Sequence, residues 1–318
     1  MDSLIDLVCP TCKSDLVSSD FNLECRKCER MFPVQLKIPR FVPEINYTNS
    51  FGLQWNRFVG TQLDSAQGTN RSRDRFMSET QWTENDLSGK FVLDAGCGAG
   101  RFSEIALSLG AKLIGVDFSS STNAAASNLN SGEKLIIQSD LSALPLKDQS
   151  MDFIYCIGVL QHTSAPETIV KELFRCLKIG GEITLTFYEN SSWHVKLYSK
   201  YLIRPITKRI PSGQLLKIID RSSCFWFPVT SKLFALPAPF SRIFRFIIPV
   251  ANYVEFNYRD SRSAREEAIL DTFDMLSPRF DRPIKKTEVL KWLDSQEILA
   301  ERLNSSKNKG TMRFKRVS

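Results

Sequence analysis

The chain has 318 residues, with 42 Lys+Arg against 35 Asp+Glu and a formal net charge of +7. A hydrophobic content of 42% and a charged content of 24% are those of a globular chain, which excludes collagen-like, coiled-coil and wholly disordered architectures. No uncharged run reaches the roughly 18 residues of a membrane helix.

The first region, 1–45, holds four of the eight cysteines. Cys9-Pro-Thr-Cys12 and Cys25-Arg-Lys-Cys28 form two C-x2-C knuckles twelve residues apart. Each knuckle can bring two sulfurs to one ion, and two knuckles make the closed tetrahedral shell that suits structural zinc. A region this short needs such a staple to stay folded. The other cysteines are scattered and read as small apolar fillers. Too few cysteines for a secreted disulfide scaffold, and an N-terminus without a basic-then-apolar leader, together predict a cytoplasmic protein.

The second region, 46–189, opens with FGLQWNRFVGTQLDS (51–65), where Phe51, Trp55, Phe58 and Leu63 share one side of a predicted helix. Five short β-branched runs follow, at 91–95, 112–118, 134–140, 151–160 and 181–188. They read as strands buried on both faces, with helices between them. Phe102, Ile105, Ala106 and Leu109 repeat at helical spacing, and Gly110 stops that helix. Pro166 starts another, predicted to run to Gly180-Gly181. Strand–helix alternation predicts a Rossmann-like, mostly parallel α/β sheet of seven strands with helices on both faces.

The third region carries the charge: residues 190–318 hold 24 basic and 12 acidic groups. Residues 190–265 read as a basic helical insertion capping the substrate side, with a helix over 195–203 that Pro205 ends. Residues 266–318 complete the sheet, through a helix over 287–296 and a strand pair over 297–306 and 310–318.

The chemistry-bearing pattern is VLDAGCGAGRF (92–102). Asp94 closes a strand, Gly96 permits a tight turn, Gly98 lets a ligand approach the backbone, and Gly100 opens a helix. Arg101 breaks the dinucleotide G-x-G-x-x-G spacing, and no Gly-Lys-Ser/Thr makes a phosphate loop. Asp117 ends the second strand, where a carboxylate can accept both hydroxyls of a ribose. Asp140-Leu141 ends the third, where a carboxylate and an amide can grip an adenine edge.

In that order VLDAGCGAG, GVDFS (115–119), SDLSALPL (139–146) and MDFIYCIGVLQH (151–162) resemble the four motifs of the class I S-adenosylmethionine-dependent methyltransferases, bacterial type 11/12-like. The resemblance implies S-adenosylmethionine as cofactor. It places Asp94, Gly96 and Gly98 by its methionine end, Asp117 at the ribose, and Asp140 and Leu141 at adenine, with Cys97, Gly100 and Phe118 also among the cofactor-binding residues. Cys156 and Ile157 would border the methyl group, and Trp55 would cover the cofactor from the N-terminal helix. Residues 4–44, with Phe32-Pro33-Val34 and Ile38-Pro39 after the second knuckle, resemble the zinc ribbon of the small activator subunit of tRNA and protein methyltransferases. A bacterial subgroup pairing both modules also carries a basic insertion and a D-x-x-x-P segment, matched here by Asp274 to Pro278.

Methyl transfer to an alcohol gains from a base. His162, after the fourth strand, is the first candidate, and Tyr188 and Glu189 are the second; His194 reads as a surface residue. The expected reaction is methylation of oxygen on a small metabolite or on a cell-surface or lipid-linked glycan. The alternative is an RNA methyltransferase that uses ribbon and insertion to hold RNA, and a third reading is a catalytically silent docking module. Ten Lys/Arg against one acid between 196 and 245, interleaved with aromatics, would suit an anionic membrane surface, an RNA backbone or solvent. Peripheral contact with the inner face of the membrane is therefore expected beside the cytoplasmic location. The sequence leaves the oligomeric state open.

Overall fold

The structure, a computed structural model, describes residues 4–19, 21–43, 48–190, 197–256, 258–304 and 310–318. His194 and the turn at 307–309 lie outside the described residues.

Four short antiparallel strands form the N-terminal sheet: β1 (Val17–Ser18), β2 (Asn22–Glu24), β3 (Met31–Gln35) and β4 (Ile38–Pro39). The two cysteine knuckles are built alike. The amide of Cys9 donates to Ser14 at 2.8 Å and that of Cys25 to Arg30 at 2.9 Å. Lys13 and Glu29, each following the second cysteine, take left-handed φ values of 57° and 56°. The ribbon is not a free appendage. Leu7, Cys9, Leu23, Cys25 and Phe32 share one buried cluster with core residues such as Leu93 and Ile154.

Four helices lead on: α1 (Asn49–Arg57), α2 (Asp64–Gln67), α3 (Arg71–Thr80) and α4 (Glu84–Leu87). The single helix expected over 51–65 is thus broken after Arg57. Gly60 weakens the helix there, and Asp64 is drawn to a different task. Its carboxylate accepts the amides of Ser72 at 3.1 Å and Arg73 at 2.9 Å, capping the start of α3.

The central sheet contains β5 (Phe91–Ala95), β6 (Lys112–Asp117), β7 (Lys134–Gln138), β8 (Met151–Ile157), β9 (Leu177–Thr186), β10 (Ala300–Leu303) and β11 (Thr311–Arg316). Its seven strands run in the order β10-β11-β9-β8-β5-β6-β7. β7, β6, β5, β8 and β9 are parallel, and β11 is antiparallel to both its neighbours. Helices α5 (Arg101–Ser108), α6 (Thr122–Asn128) and α7 (Pro166–Cys176) connect the parallel strands. The insertion contributes α8 (Ser199–Thr207), α9 (Ser212–Phe234) and α10 (Phe240–Ile247), followed by α11 (Ser261–Leu276) and α12 (Lys286–Ser295).

Alternation along β5 shows why both faces are covered. Val92 joins a cluster with Phe76 of α3 and Ile105 of α5, whereas Leu93 joins one with Leu173 of α7 and Val289 of α12. A third cluster joins Leu215, Leu216 and Ile219 of α9 to Ile269, Leu270 and Phe273 of α11.

Three expectations are corrected. The helix starting at Pro166 ends at Cys176, and Gly180-Gly181 lies inside β9. The pairing jumps there from Met151–Leu177 to Phe153–Glu182, and a Cβ on Gly181 would come within 2.7 Å of the Asp152 carbonyl. The glycines therefore serve a strand irregularity rather than a helix stop. Pro205 does not end its helix. α8 continues to Thr207 because Arg204 anchors it, donating to the carbonyls of Met275 and Pro278 at 2.8 Å each. Finally, a boundary at 265 falls inside α11, which runs unbroken from Ser261 to Leu276.

Candidate active site

The carboxyl ends of the parallel strands frame one cavity of about 750 Å³, the expected ligand position in an open α/β sheet. The loop after β5 is pinned to β6, since the amides of Gly96 and Cys97 both donate to the Val116 carbonyl, at 2.7 and 3.1 Å. Gly96 has φ +92°, and a Cβ there would lie 2.4 Å from Val159. A Cβ on Gly98 would meet the Trp55 indole at 3.3 Å. The loop thus needs glycine for its backbone and leaves a bare edge under Trp55.

Asp117, at the end of β6, accepts the Gly98 amide at 3.0 Å on one oxygen. Its other oxygen accepts the Ser119 amide at 2.8 Å and hydroxyl at 2.7 Å. These bonds fix the carboxylate at the cavity wall. Asp140, just beyond β7, is fixed in the same way by the Ser142 amide at 2.8 Å and hydroxyl at 2.7 Å. Gly96, Cys97, Gly98, Asp117, Phe118, Asp140, Leu141, Ile157, His162, Tyr188 and Trp55 all line the cavity.

Asp94, Gly100, Cys156 and Glu189 do not line it. Asp94 is 3% exposed and accepts the Ser103 hydroxyl at 2.6 Å, so it ties α5 to β5 from behind the loop. Burial pushes its carboxyl up to about 7, against the pull of that hydroxyl. Gly100 turns into α5 against Leu129. Cys156 is fully buried, and burial holds its thiol protonated. Glu189 is held off the cavity by main-chain pairing, because Ile284 donates to the Tyr188 carbonyl at 2.8 Å and Asn190 donates to the Ile284 carbonyl at 3.0 Å.

His162 Nδ1 lies 3.0 Å from the Phe280 carbonyl. A carbonyl only accepts, so Nδ1 carries a proton, and Nε2 is the ring nitrogen left to exchange one. Phe51 and Tyr188 stand edge-on to the ring, with centroids 5.4 and 5.7 Å away. Tyr188 is 43% exposed although closely surrounded, so its surface faces the cavity.

The other half of the cavity comes partly from the insertion expected to cap it and from Asp274 of the D-x-x-x-P segment, whereas Glu267, Asp271 and Asp281 escaped the sequence reading. Glu267, Asp271 and Asp274 line it from α11, with Arg71, Arg101, Lys200, Tyr253, Phe256 and Asp281. The three acids recur at i, i+4 and i+7, one face of a helix that is otherwise buried at Ala268, Ile269, Leu270 and Phe273. That face was the available signal. Arg71 pairs with Glu267 through both guanidinium nitrogens, one at 2.9 Å, beneath the Phe256 ring at 4.0 Å. Asp271 is pushed up to about 7 by burial and by Glu267 and Asp274 beside it. Burial also raises Asp274. Arg101 is lowered to about 10 by burial and the nearby Arg75. It donates to Ser72 and Gln62 at 2.9 Å each. Gln54 is 0% exposed and lies beside Asp274, whose carboxyl it pulls down against burial, and Oδ1 of Asp281 is buried without a hydrogen-bond partner. Both side chains line the cavity, and buried polar atoms left bare in a cavity wall are what a polar ligand would satisfy.

At the far end of the molecule the sulfurs of Cys9, Cys12, Cys25 and Cys28 lie within 4.8 Å of one another. Cys9–Cys28 and Cys12–Cys25 are 3.5 and 3.4 Å apart, near the edge of about 3.8 Å that bonds of roughly 2.3 Å impose on a tetrahedron. Hydrogen bonds from Ser14 pull the Cys12 thiol down, while burial and the neighbouring Cys25 push the Cys28 thiol up, as expected of thiols crowded together. This donor set fits a closed metal site.

Residues 93–185 match the family model described as a methyltransferase domain. A ubiquinone biosynthesis O-methyltransferase from Coxiella burnetii is 34% identical over 130 residues, covering 40% of this chain and 55% of that protein. Its counterpart from Pseudomonas fluorescens is 32% identical over 135 residues, covering 40% and 56%. The chain thus spans about half the length of the curated relatives it matches. The crystal structure of an S-adenosylmethionine-dependent methyltransferase from Mesorhizobium loti aligns at 24% identity over 36% of this chain and 51% of that one, with a TM-score of 0.31. The matched segment begins in β5, passes through the glycine loop and ends in β9, so this part of the chain is a methyltransferase domain of the class I S-adenosylmethionine-dependent kind.

Proposed function

We propose that the protein transfers the methyl group of S-adenosylmethionine to a hydroxyl oxygen of a small, polar, hydroxyl-bearing acceptor, a metabolite or glycan unit. The bare glycine edge fits the methionine end of the cofactor, and the fixed carboxylates of Asp117 and Asp140 fit its ribose and adenine. Asp94 supports the loop rather than touching the ligand. When bound, the cofactor supplies an electrophilic methyl carbon on a sulfonium. Much of the barrier is then lowered by alignment and by excluding water.

The observation that carries the oxygen assignment is the placing of His162. His162 lines the cavity with Val159, which packs on the glycine loop, and Tyr188, and Nε2 is the ring nitrogen that the Phe280 carbonyl does not hold. Nε2 would take the proton of an acceptor hydroxyl during transfer, when the bound cofactor supplies its methyl group and leaves as the thioether. Phe51 and Tyr188 screen the ring from water. Gln54, Asp271, Asp274 and Asp281 meet acceptor hydroxyls, which suits groups that both donate and accept. The relatives' printed names are those of O-methyltransferases, which supports the same reaction class. Zinc bound by the four cysteines, as a structural staple, belongs to this proposal.

The test is transfer of labelled methyl from the cofactor into fractionated cell extract by the full chain. The product should be a small molecule whose label resists alkali, as a methyl ether does. His162→Gln should lower kcat by roughly 10²–10⁴-fold while leaving cofactor affinity unchanged. Label in RNA, label released by alkali as from an ester, or full activity in that variant would overturn the assignment.

A further inference from the structure

The insertion leaves apolar surface uncovered in an ordered way. On α9 the side chains of Ile218, Phe225 and Val229 are exposed, Phe225 at 77%. At 3.6 residues per turn they fall within an arc of about 40°. On α10, Phe240, Ile243 and Ile247 are exposed, Ile247 at 58%, within about 60°. Leu236 and Phe240, also exposed, stand at and beyond the junction of the two helices, which pack on each other. Stripes of this kind on a surface mark a binding face rather than scattered exposure.

Their flank is basic. Lys217, Arg221 and Lys232 are exposed on α9, to one side of its stripe, and Lys208 and Arg209 are exposed between α8 and α9. None of the five makes an ion pair among the described residues. The single acid within α9 and α10, Asp220, pairs with Arg57 at 3.5 Å. No helix among the described residues is long and apolar enough to cross a membrane.

We propose that the α9–α10 face seats the protein on an anionic bilayer surface, with the stripes entering the headgroup–acyl boundary and the free lysines and arginines meeting lipid phosphates. An interfacial helix combines these two features. A second copy of the chain would bring the same unpaired cations against each other, which disfavours a symmetric pair. Ribonucleic acid could stack on Phe225 and Phe240 but would leave aliphatic Ile218, Val229, Ile243 and Ile247 facing it with no π-face for a base. The same insertion walls the cavity through Lys200, Tyr253 and Phe256, so docking would bring that wall to the lipid surface. This inference rests on the exposed face alone and stands whatever acceptor the enzyme uses.

The experiment is co-sedimentation of the full chain with vesicles of equal parts phosphatidylcholine and phosphatidylglycerol, against vesicles of phosphatidylcholine alone. The chain should pellet with the anionic vesicles, release at high salt, and bind neutral vesicles far less. Phe225→Ser with Ile243→Ser should weaken binding at least about tenfold, because two large side chains no longer leave water. Lys217→Ser with Lys232→Ser should reduce the preference for anionic lipid while leaving cofactor binding intact. A parent chain that stays in the supernatant would overturn the proposal, as would pelleting of both double variants to the same extent as the parent. A dimer that the apolar variant dissolves, or RNA retention that both variants preserve in place of vesicle binding, would overturn it as well.

Discussion

Asp94 and Asp117 close neighbouring strands of the sheet, yet the fold uses them differently. Asp117 faces the cavity with both oxygens already positioned by Gly98 and Ser119, whereas Asp94 is sealed behind the loop against Ser103. A pH dependence follows. The folded carboxyl of Asp94 titrates at about 7, against roughly 3.9 in an unfolded chain. Between those values the folded chain keeps a proton that the unfolded chain releases, so the contribution of Asp94 to stability is full at acid pH and is lost as pH rises through about 7. Asp94→Asn does not titrate and still accepts from Ser103. Thermal unfolding at pH 5 and pH 8 should therefore show the parent losing more stability than the variant, by at least about 1 kcal/mol. Parallel losses would contradict the buried, protonated state. Asp117 and His162 were legible in the sequence because a strand end followed by a turn points to the carboxyl edge of the sheet. The depth of Asp94 was not, because one step of strand register decides whether a side chain faces a ligand or a helix. Gln54 and Asp281 were out of reach, since the cavity joins segments more than 200 positions apart.

Among elements, β7 is the exposed flank of the sheet and the ribbon covers it. The Phe41 amide donates to the Gln138 carbonyl at 2.8 Å, and Arg40 bonds the side chains of Gln138 and Asn123. Lys13 pairs with Glu172 at 2.6 Å, and the Val8 amide reaches the Pro145 carbonyl at 3.1 Å. Burial opposes the Glu172 charge, but Arg175 and Lys13 outweigh it and hold the carboxyl below its ordinary range. The ribbon thus blunts a strand edge that would otherwise invite pairing with other chains. Cys25→Ser should drop bound zinc well below one ion per chain. It should also speed amide exchange in β7 while β5 and β8, inside the sheet, stay protected. Retained stoichiometric zinc, or unchanged exchange in β7, would contradict this coupling. The knuckles and five parallel strands were legible from spacing and from β-branched runs. The end of α7 was not, because Gly180-Gly181 reads equally as a helix stop and as a close approach within a strand. The run of α8 through Pro205 depends on Arg204 reaching the loop after α11, which no local pattern records.

At the scale of the whole molecule, three parts converge on one cavity. The sheet supplies the glycine-loop side, α1 adds Gln54 and Trp55 to its wall, and the insertion with α11 closes the opposite side with Glu267, Asp271 and Asp274, Asp271 being pushed up to about 7 by burial. Charge follows the same division: the insertion carries the unpaired cations, while the acids of α11 are turned inward. The acidic face of α11 was visible as a pattern, but only the packing of α11 on α9 turned it toward the sheet. The central claim is that S-adenosylmethionine sits against the glycine loop with its ribose on Asp117. Calorimetric titration of S-adenosylmethionine into the parent chain and into Asp117→Ala tests it most directly. The parent should bind one equivalent, and the variant, still folded by circular dichroism, should bind about ten- to a hundredfold more weakly, the worth of hydrogen bonds to a charged group. Equal affinity in the two folded proteins, or no heat from the parent, would contradict it.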